Sequence, residues 1–182
     1  MRYFKFMKSI LLIISLFLIT SCSNNSAMKP EDFKNKEPRL IIEEYLTGNV
    51  KAWGVLQNRS GKVTRQFSAD LDGSWDGKQL ILKEKFNWDD GEVQKREWTI
   101  TKIDEHNYEG TAGDVVGKAI GYSYGPAFKF EYVLLVPVKG RNLKITFDDW
   151  IFKQDNKVAI NRATMTKFGF KVAELTVVFV KN

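Results

Sequence analysis

The chain holds 182 residues, 43% of them hydrophobic and 27% charged, with a formal net charge of +6, one histidine and one cysteine. This length suits one domain, and the single histidine and cysteine exclude an intrachain disulfide and a zinc or haem site of the usual ligand set. The positive excess is small and dispersed, and no RNP-like, zinc-finger or helix-turn-helix pattern accompanies it, so neither nucleic acid nor any cofactor is an expected partner.

At the N-terminus, Arg2, Lys5 and Lys8 precede the uncharged run SILLIISLFLIT. That run is too short and wrongly flanked for a transmembrane span, so residues 1–21 read as a secretory signal peptide. It ends in Ile19-Thr20-Ser21-Cys22, which resembles the lipobox of bacterial lipoproteins. The resemblance implies that Cys22 becomes the first mature residue, acylated on its sulfur and its amine, with the membrane as its partner. Lipidation accounts for an unpaired thiol in an exported chain, and two or more acyl chains attach a protein stably. Residues 22–38, Cys22 followed by SNNSAMKPEDFKNKEP, are polar and without apolar periodicity, and read as a lipidated N-terminus and tether.

From residue 39 to 182 the sequence breaks into short alternating runs divided by turn residues, the pattern of an antiparallel sheet. Candidate strands are 40–47, 50–57, 62–71, 78–88, 92–103, 107–112, 114–122, 126–138, 142–153, 158–166 and 170–180. About ten hairpin-linked strands with almost no helix predict an all-β fold, either a sandwich or a single antiparallel up-and-down barrel. Closure removes exposed edges and leaves room for one ligand, which favours the barrel. Gly73-Ser74-Trp75 also resembles the G-x-W of lipocalins.

Two hairpins place charges among apolar residues. Asp89-Asp90-Gly91 suits a three-residue loop with glycine in the left-handed position. The resulting register sets Glu84 opposite Arg96, Leu82 opposite Trp98 and Leu80 opposite Ile100, with this apolar face turned inward. A turn centred on Asp155-Asn156 likewise sets Phe152 opposite Ala159 and Asp149 opposite Arg162, although a shift of one residue would reverse either pair. Such pairs can fix strand register and do no more. Alternatively, an arginine with spare donors grips a ligand carboxylate or phosphate at the bottom of an apolar cavity. Arg96, Glu84, Trp98, Arg162 and Asp149 are the candidate ligand-binding residues.

The stretch GDVVGKAIGYSYG, residues 113–125, admits three readings. GYSYG fits the nucleophile elbow of serine hydrolases, but the only histidine, His106, precedes Ser123 and no helix pattern follows, so the elbow fails. Asp114 and Lys118 inside the glycine repeat exclude a membrane-packing helix. A strand remains, with Gly113, Gly117, Ala119 and Gly121 forming a small-residue face that admits something bulky. Adjacent acids such as Asp148-Asp149 face opposite sides of a strand and make poor hydrolytic pairs. No catalytic set emerges, and the chain is expected not to be an enzyme.

Taken together, AWG (52–54), SWDG (74–77), REW (96–98), DVVGKAIG (114–121), FDDW (147–150), NRA (161–163) and KFG (167–169) resemble a set of bacterial envelope lipoproteins catalogued only as a domain of unknown function. The resemblance implies a calycin- or lipocalin-like all-β domain and brings no established activity. Ser23 after the cysteine, where aspartate favours the inner membrane, implies the periplasmic face of the outer membrane in a Gram-negative host. Two functions stay open: a barrel that binds a small amphipathic or lipid ligand, and a filled barrel whose outer surface docks an envelope partner. An enzyme acting on a bound lipid is a distant third.

Overall fold

The computed structural model describes residues 27–138 and 140–182. The signal peptide, Cys22 and the first part of the tether lie outside the described residues. Ten antiparallel strands follow in chain order: β1 (Gly48–Asn58), β2 (Val63–Trp75), β3 (Gln79–Trp88), β4 (Val93–Lys102), β5 (Asn107–Ala112), β6 (Ala119–Tyr124), β7 (Ala127–Val138), β8 (Arg141–Lys153), β9 (Val158–Lys167) and β10 (Phe170–Lys181). Each pairs with its neighbours in sequence, and β1 pairs with β10, so the sheet closes into an up-and-down barrel. The two-residue period sorts the side chains. Along β2, Phe67, Ala69, Leu71 and Gly73 face the core while Gln66, Ser68, Asp70 and Asp72 face solvent.

The β3–β4 hairpin has the register that its loop predicts. Gly91 adopts φ +86°, Trp88 N–H donates to the Glu92 carbonyl at 2.9 Å, and Leu80–Ile100, Leu82–Trp98 and Glu84–Arg96 stand opposite each other. The β8–β9 hairpin is one residue longer than predicted. The Asp155 carboxylate accepts the Lys157 and Val158 N–H groups, both at 2.7 Å, drawing Lys157 into the turn. Phe152 therefore faces Ile160, and Asp149 faces Ala163.

The predicted strand 40–47 is instead a short helix, α1 (Ile42–Leu46). A brief apolar run cannot be divided between helix and strand by periodicity alone. Here Ile42, Tyr45 and Leu46, spaced i, i+3 and i+4, are buried together with Leu40. They plug one end of the barrel. Buried Glu43 fixes the plug by accepting hydrogen bonds from Lys102 Nζ at 2.5 Å and Tyr108 Oη at 2.9 Å. Tyr45 Oη donates to the Lys157 and Phe179 carbonyls.

The later part of the tether also belongs to the folded unit. A 3-10 turn at Pro30–Phe33 sets the Phe33 ring 5.4 Å from Phe152 and 6.0 Å from Trp150. Gly125, at φ +51°, lets this segment pass, since a Cβ there would fall 2.1 Å from the Phe33 carbonyl oxygen.

The plug also explains Gly73. A Cβ at Gly73 would lie 2.0 Å from the Leu46 carbonyl oxygen, a backbone atom that cannot swing aside. Gly73→Ala is expected to destabilise the fold by about 1–3 kcal/mol through overpacking. Gly113→Ala meets nothing within 4 Å and is expected to leave denaturant unfolding unchanged. Equal effects from the two substitutions would contradict this account of the plug.

Candidate functional site

Two connected spaces occupy the barrel. An inner chamber of about 100 Å³ is lined by Ile42, Leu82, Trp98, Phe130, Val177 and Phe179, among others. An outer cavity of about 340 Å³ opens at the end opposite the plug, between Phe86, Trp88, Leu134, Phe147, Met165 and Leu175. Phe67, Phe86, Arg96, Tyr132 and Leu175 border both. The walls are apolar because inner faces alternate along every strand. In β7, for instance, Phe128, Phe130, Tyr132 and Leu134 all turn inward.

A polar cluster stands where the two spaces meet. The Arg96 side chain is 15% exposed and that of Glu84 is 12% exposed, with Nη1 and Oε2 3.7 Å apart. Arg96 Nε and Nη2 donate to the Asp114 carboxylate at 2.8–3.1 Å. Tyr132 Oη donates to Asp149 Oδ2 at 2.8 Å, and the Asn161 amide donates to Asp149 Oδ1 and, at 3.1 Å, to the Trp150 carbonyl. Glu84 Oε2 is buried and accepts no hydrogen bond.

Burial dominates the electrostatics. It pushes the Glu84 carboxyl up to about 7 against the pull of Arg96, and the charges of Asp149 and Asp114 add to the rise. Burial also raises the Asp149 carboxyl, opposed by the hydrogen bonds from Tyr132 and Asn161. For Arg96, burial works against the charge, but Glu84 and Asp114 outweigh it and the guanidinium stays charged. Among the described residues, no three His, Cys, Asp or Glu side chains converge as a metal site requires.

The structure thus brings together Arg96, Glu84, Trp98 and Asp149, four of the five residues expected from the sequence, and leaves out Arg162. The longer β8–β9 turn puts Arg162 opposite Trp150, with its side chain 65% exposed and Nε donating to Glu174 Oε1 at 2.5 Å. The small-residue face is also corrected. Gly113 and Gly117 lie in the segment between β5 and β6 with open space around them, and Gly117 adopts φ +76°. Of the four, Ala119 and Gly121 alone face inward, on β6, where a Cβ on Gly121 would press on Phe128 and Tyr108. In the GYSYG motif, the buried Ser123 hydroxyl donates to the Leu40 carbonyl at 3.0 Å, while His106 Nδ1 donates to the Ser123 carbonyl at 2.8 Å. Neither contact activates a nucleophile.

Sequence reasoning did not find Asp114, Tyr132 and Asn161 as cluster members. Tyr132 was accessible from the alternation in FKFEYVLLV. Asp114 reaches Arg96 only because residues 113–118 leave the β5–β6 ladder and bridge to β7, where Val116 N–H donates to the Val133 carbonyl at 2.8 Å.

Stability measurements separate these roles. Arg162→Ala removes an exposed guanidinium from Glu174, which keeps Lys171 as a partner, and is expected to cost under about 1 kcal/mol, whereas Arg96→Ala strands buried carboxylates and is expected to cost about 3–5 kcal/mol. The raised Glu84 carboxyl holds its proton in the folded state after the unfolded state has released it. Between 4.5 and about 7 its contribution therefore falls as pH rises, and it is constant above that window. Glu84→Gln should gain stability relative to wild type across this window; a difference independent of pH would contradict the burial of Glu84.

The chain resembles known structures in fold. An S-type phycobiliprotein lyase from Guillardia theta superposes with a TM-score of 0.57 at 10% identity, over 77% of this chain and 90% of that one. A protein of unknown function from the DUF3598 family of Nostoc punctiforme gives a TM-score of 0.60 at 16% identity, over 81% of this chain and 51% of that one. The lipocalin-like barrel expected from the sequence is thereby established. The expectation that the chain is not an enzyme is overturned: one barrel of this fold is a lyase, so the architecture gives no ground for that exclusion. No protein of curated function matches the chain. The family model for proteins of unknown function DUF3833 matches residues 16–181, and the chain belongs to that family.

Proposed function

We propose that this chain is a lipid-anchored envelope protein whose barrel holds one small amphipathic molecule, admitted through the open end. The observation that carries this reading is the outer cavity, about 340 Å³ with apolar walls and a polar floor at Arg96 and Tyr132. That volume lies at the lower end of ordinary small-molecule sites, about 300–1,000 Å³. Walls of Phe86, Trp88, Leu134, Met165 and Leu175 favour a hydrocarbon or ring system, since each buried methylene contributes about 0.8 kcal/mol. The lipobox-like ending at Cys22 and the following Ser23 support membrane attachment, at the periplasmic face of the outer membrane in a Gram-negative envelope.

A second reading rests on the outside of the barrel. Exposed Trp53, Val178 and Ile160 sit side by side across β1, β10 and β9, an apolar row that suits a protein partner. The cavity speaks for the first reading, because a barrel that acts only through its outer surface has no need of an open interior.

The barrel, its plug and the Phe33 turn lie within residues 27–182, so binding is measured on the domain without its leader and Cys22. Titration with the amphipathic fluorophore N-phenylnaphthylamine should show saturable one-site binding. Leu175→Trp, which adds bulk where the two spaces meet, should weaken it by at least about tenfold, or 1.4 kcal/mol, while circular dichroism stays unchanged. No saturable binding, or an unaltered affinity in the filled variant, would remove the ligand reading. In the host, Cys22→Ala is expected to abolish palmitate incorporation and release the chain from membranes.

A further inference from the structure

We propose that the open end of the barrel seats against an anionic lipid bilayer, through the β9–β10 tip and the basic hairpins on either side of it. The observations behind this surface lie outside the cavity, so it goes beyond the ligand-binding reading. A mouth resting on lipid would also give an amphiphile a short path between bilayer and cavity.

The β9–β10 tip is a two-residue turn, with Lys167 opposite Phe170. Phe168 and Gly169 between them both have positive φ, 52° and 80°. Asn-Gly or Asp-Gly meets such a turn at little cost, whereas phenylalanine in the left-handed region strains the backbone. Packing does not offset that strain, because Phe168 is 87% exposed and Phe170 is 77% exposed. The fold gains nothing from either ring. A bulky apolar residue held in water at a strained position points to a contact outside the molecule.

Charge identifies the contact. Since β10 pairs with β1 and β9 with β8, the β9–β10 tip stands between the β1–β2 and β7–β8 hairpins at the open end. Together the three tips, residues 58–62, 137–144 and 167–171, contain no Asp or Glu. They carry Arg59, Lys62, Arg141, Lys144 and Lys171, all exposed, and the half-buried Lys167, whose Nζ lies 5.0 Å from the Phe168 ring centroid. Of these six, only Lys171 forms an ion pair among the described residues, with Glu174. Val138 adds an exposed apolar side chain at the β7–β8 tip. Acids gather elsewhere on the rim: Asp89, Asp90 and Glu92 occupy the β3–β4 tip, where Arg65 pairs with the last two. The mouth therefore has one basic, aromatic side to lay on an anionic surface. Lipid headgroups meet the cations while the acyl boundary takes the rings, and neither requires a matched shape. A protein would need a pocket fitted to two projecting rings and an acidic border around it.

The test is flotation of the chain from residue 22 onward, carrying Cys22→Ala so that no acyl chain contributes. The vesicles are phosphatidylethanolamine with phosphatidylglycerol, or phosphatidylcholine alone. Binding to the anionic vesicles should be at least about tenfold tighter than to the neutral ones, and added salt should weaken it. Phe168→Asn supplies the residue that the turn prefers. Thermal stability should therefore hold or rise in this variant, while affinity for anionic vesicles falls at least about tenfold. Arg141→Glu combined with Lys167→Glu should remove the preference for anionic vesicles. Equal binding to both vesicles, or Phe168→Asn binding as tightly as wild type, would overturn the proposal. So would absence of flotation, and crosslinks to an envelope protein that Phe168→Asn abolishes would then assign the tip to a protein partner. The ligand-binding reading is tested separately by N-phenylnaphthylamine and survives any of these results.

Discussion

Arg96 carries a charge that cannot leave the barrel interior, and the surrounding structure is arranged to hold it. The β3–β4 register supplies Glu84 from the facing strand, and the segment after β5 departs from its ladder to bring in Asp114. Tyr132 from β7 and Asn161 from β9 then hold Asp149 beside the cluster. Burying an ion pair adds little net stability, but removing one partner of a buried pair is costly. Once present, such a cluster constrains every strand that contributes to it. Here it also leaves Glu84 Oε2, beside the inner chamber, without a hydrogen bond.

The two ends of the barrel differ for reasons of backbone as much as of side chains. At one end Gly73 has no Cβ, so α1 can set the Leu46 carbonyl against β2, and Glu43 is held by Lys102 and Tyr108. The other end has no comparable cover among the described residues, and its hairpin tip presents Phe168 and Phe170 to solvent. A ligand entering there meets aromatic and aliphatic walls before it reaches the polar floor. The closed end fixes the geometry, and the open end leaves the outer cavity accessible.

Much of this was legible in the sequence because it is local. The Asp89-Asp90-Gly91 loop determines its own register, and with it the inward position of Glu84, Arg96, Leu82 and Trp98. Inner-face alternation gives the strands other than β6 nearly to their ends, and the removal of exposed edges favours their closure; β6 begins only at Ala119, because residues 113–118 leave the ladder. Legibility stopped where one residue changes the outcome. Asp155 binds two following amides and lengthens its turn, which moves Arg162 from the expected pair with Asp149 to an exposed one with Glu174. It also stopped where period is ambiguous, since Leu40, Ile42 and Leu46 fit a strand as well as a plug. Asp114 was beyond reach because its pairing with Arg96 depends on a chain path that no local pattern encodes.

The central claim is that the space above Arg96 and Tyr132 is kept for a molecule from the envelope. Native mass spectrometry of the leaderless domain, exported and purified from its own host, addresses it most directly. The account predicts one discrete added mass per chain, released on mild activation while the barrel remains folded. A clean apo mass that persists after incubation with an extract of host lipids would contradict it, and would turn attention to the exposed row of Trp53, Val178 and Ile160.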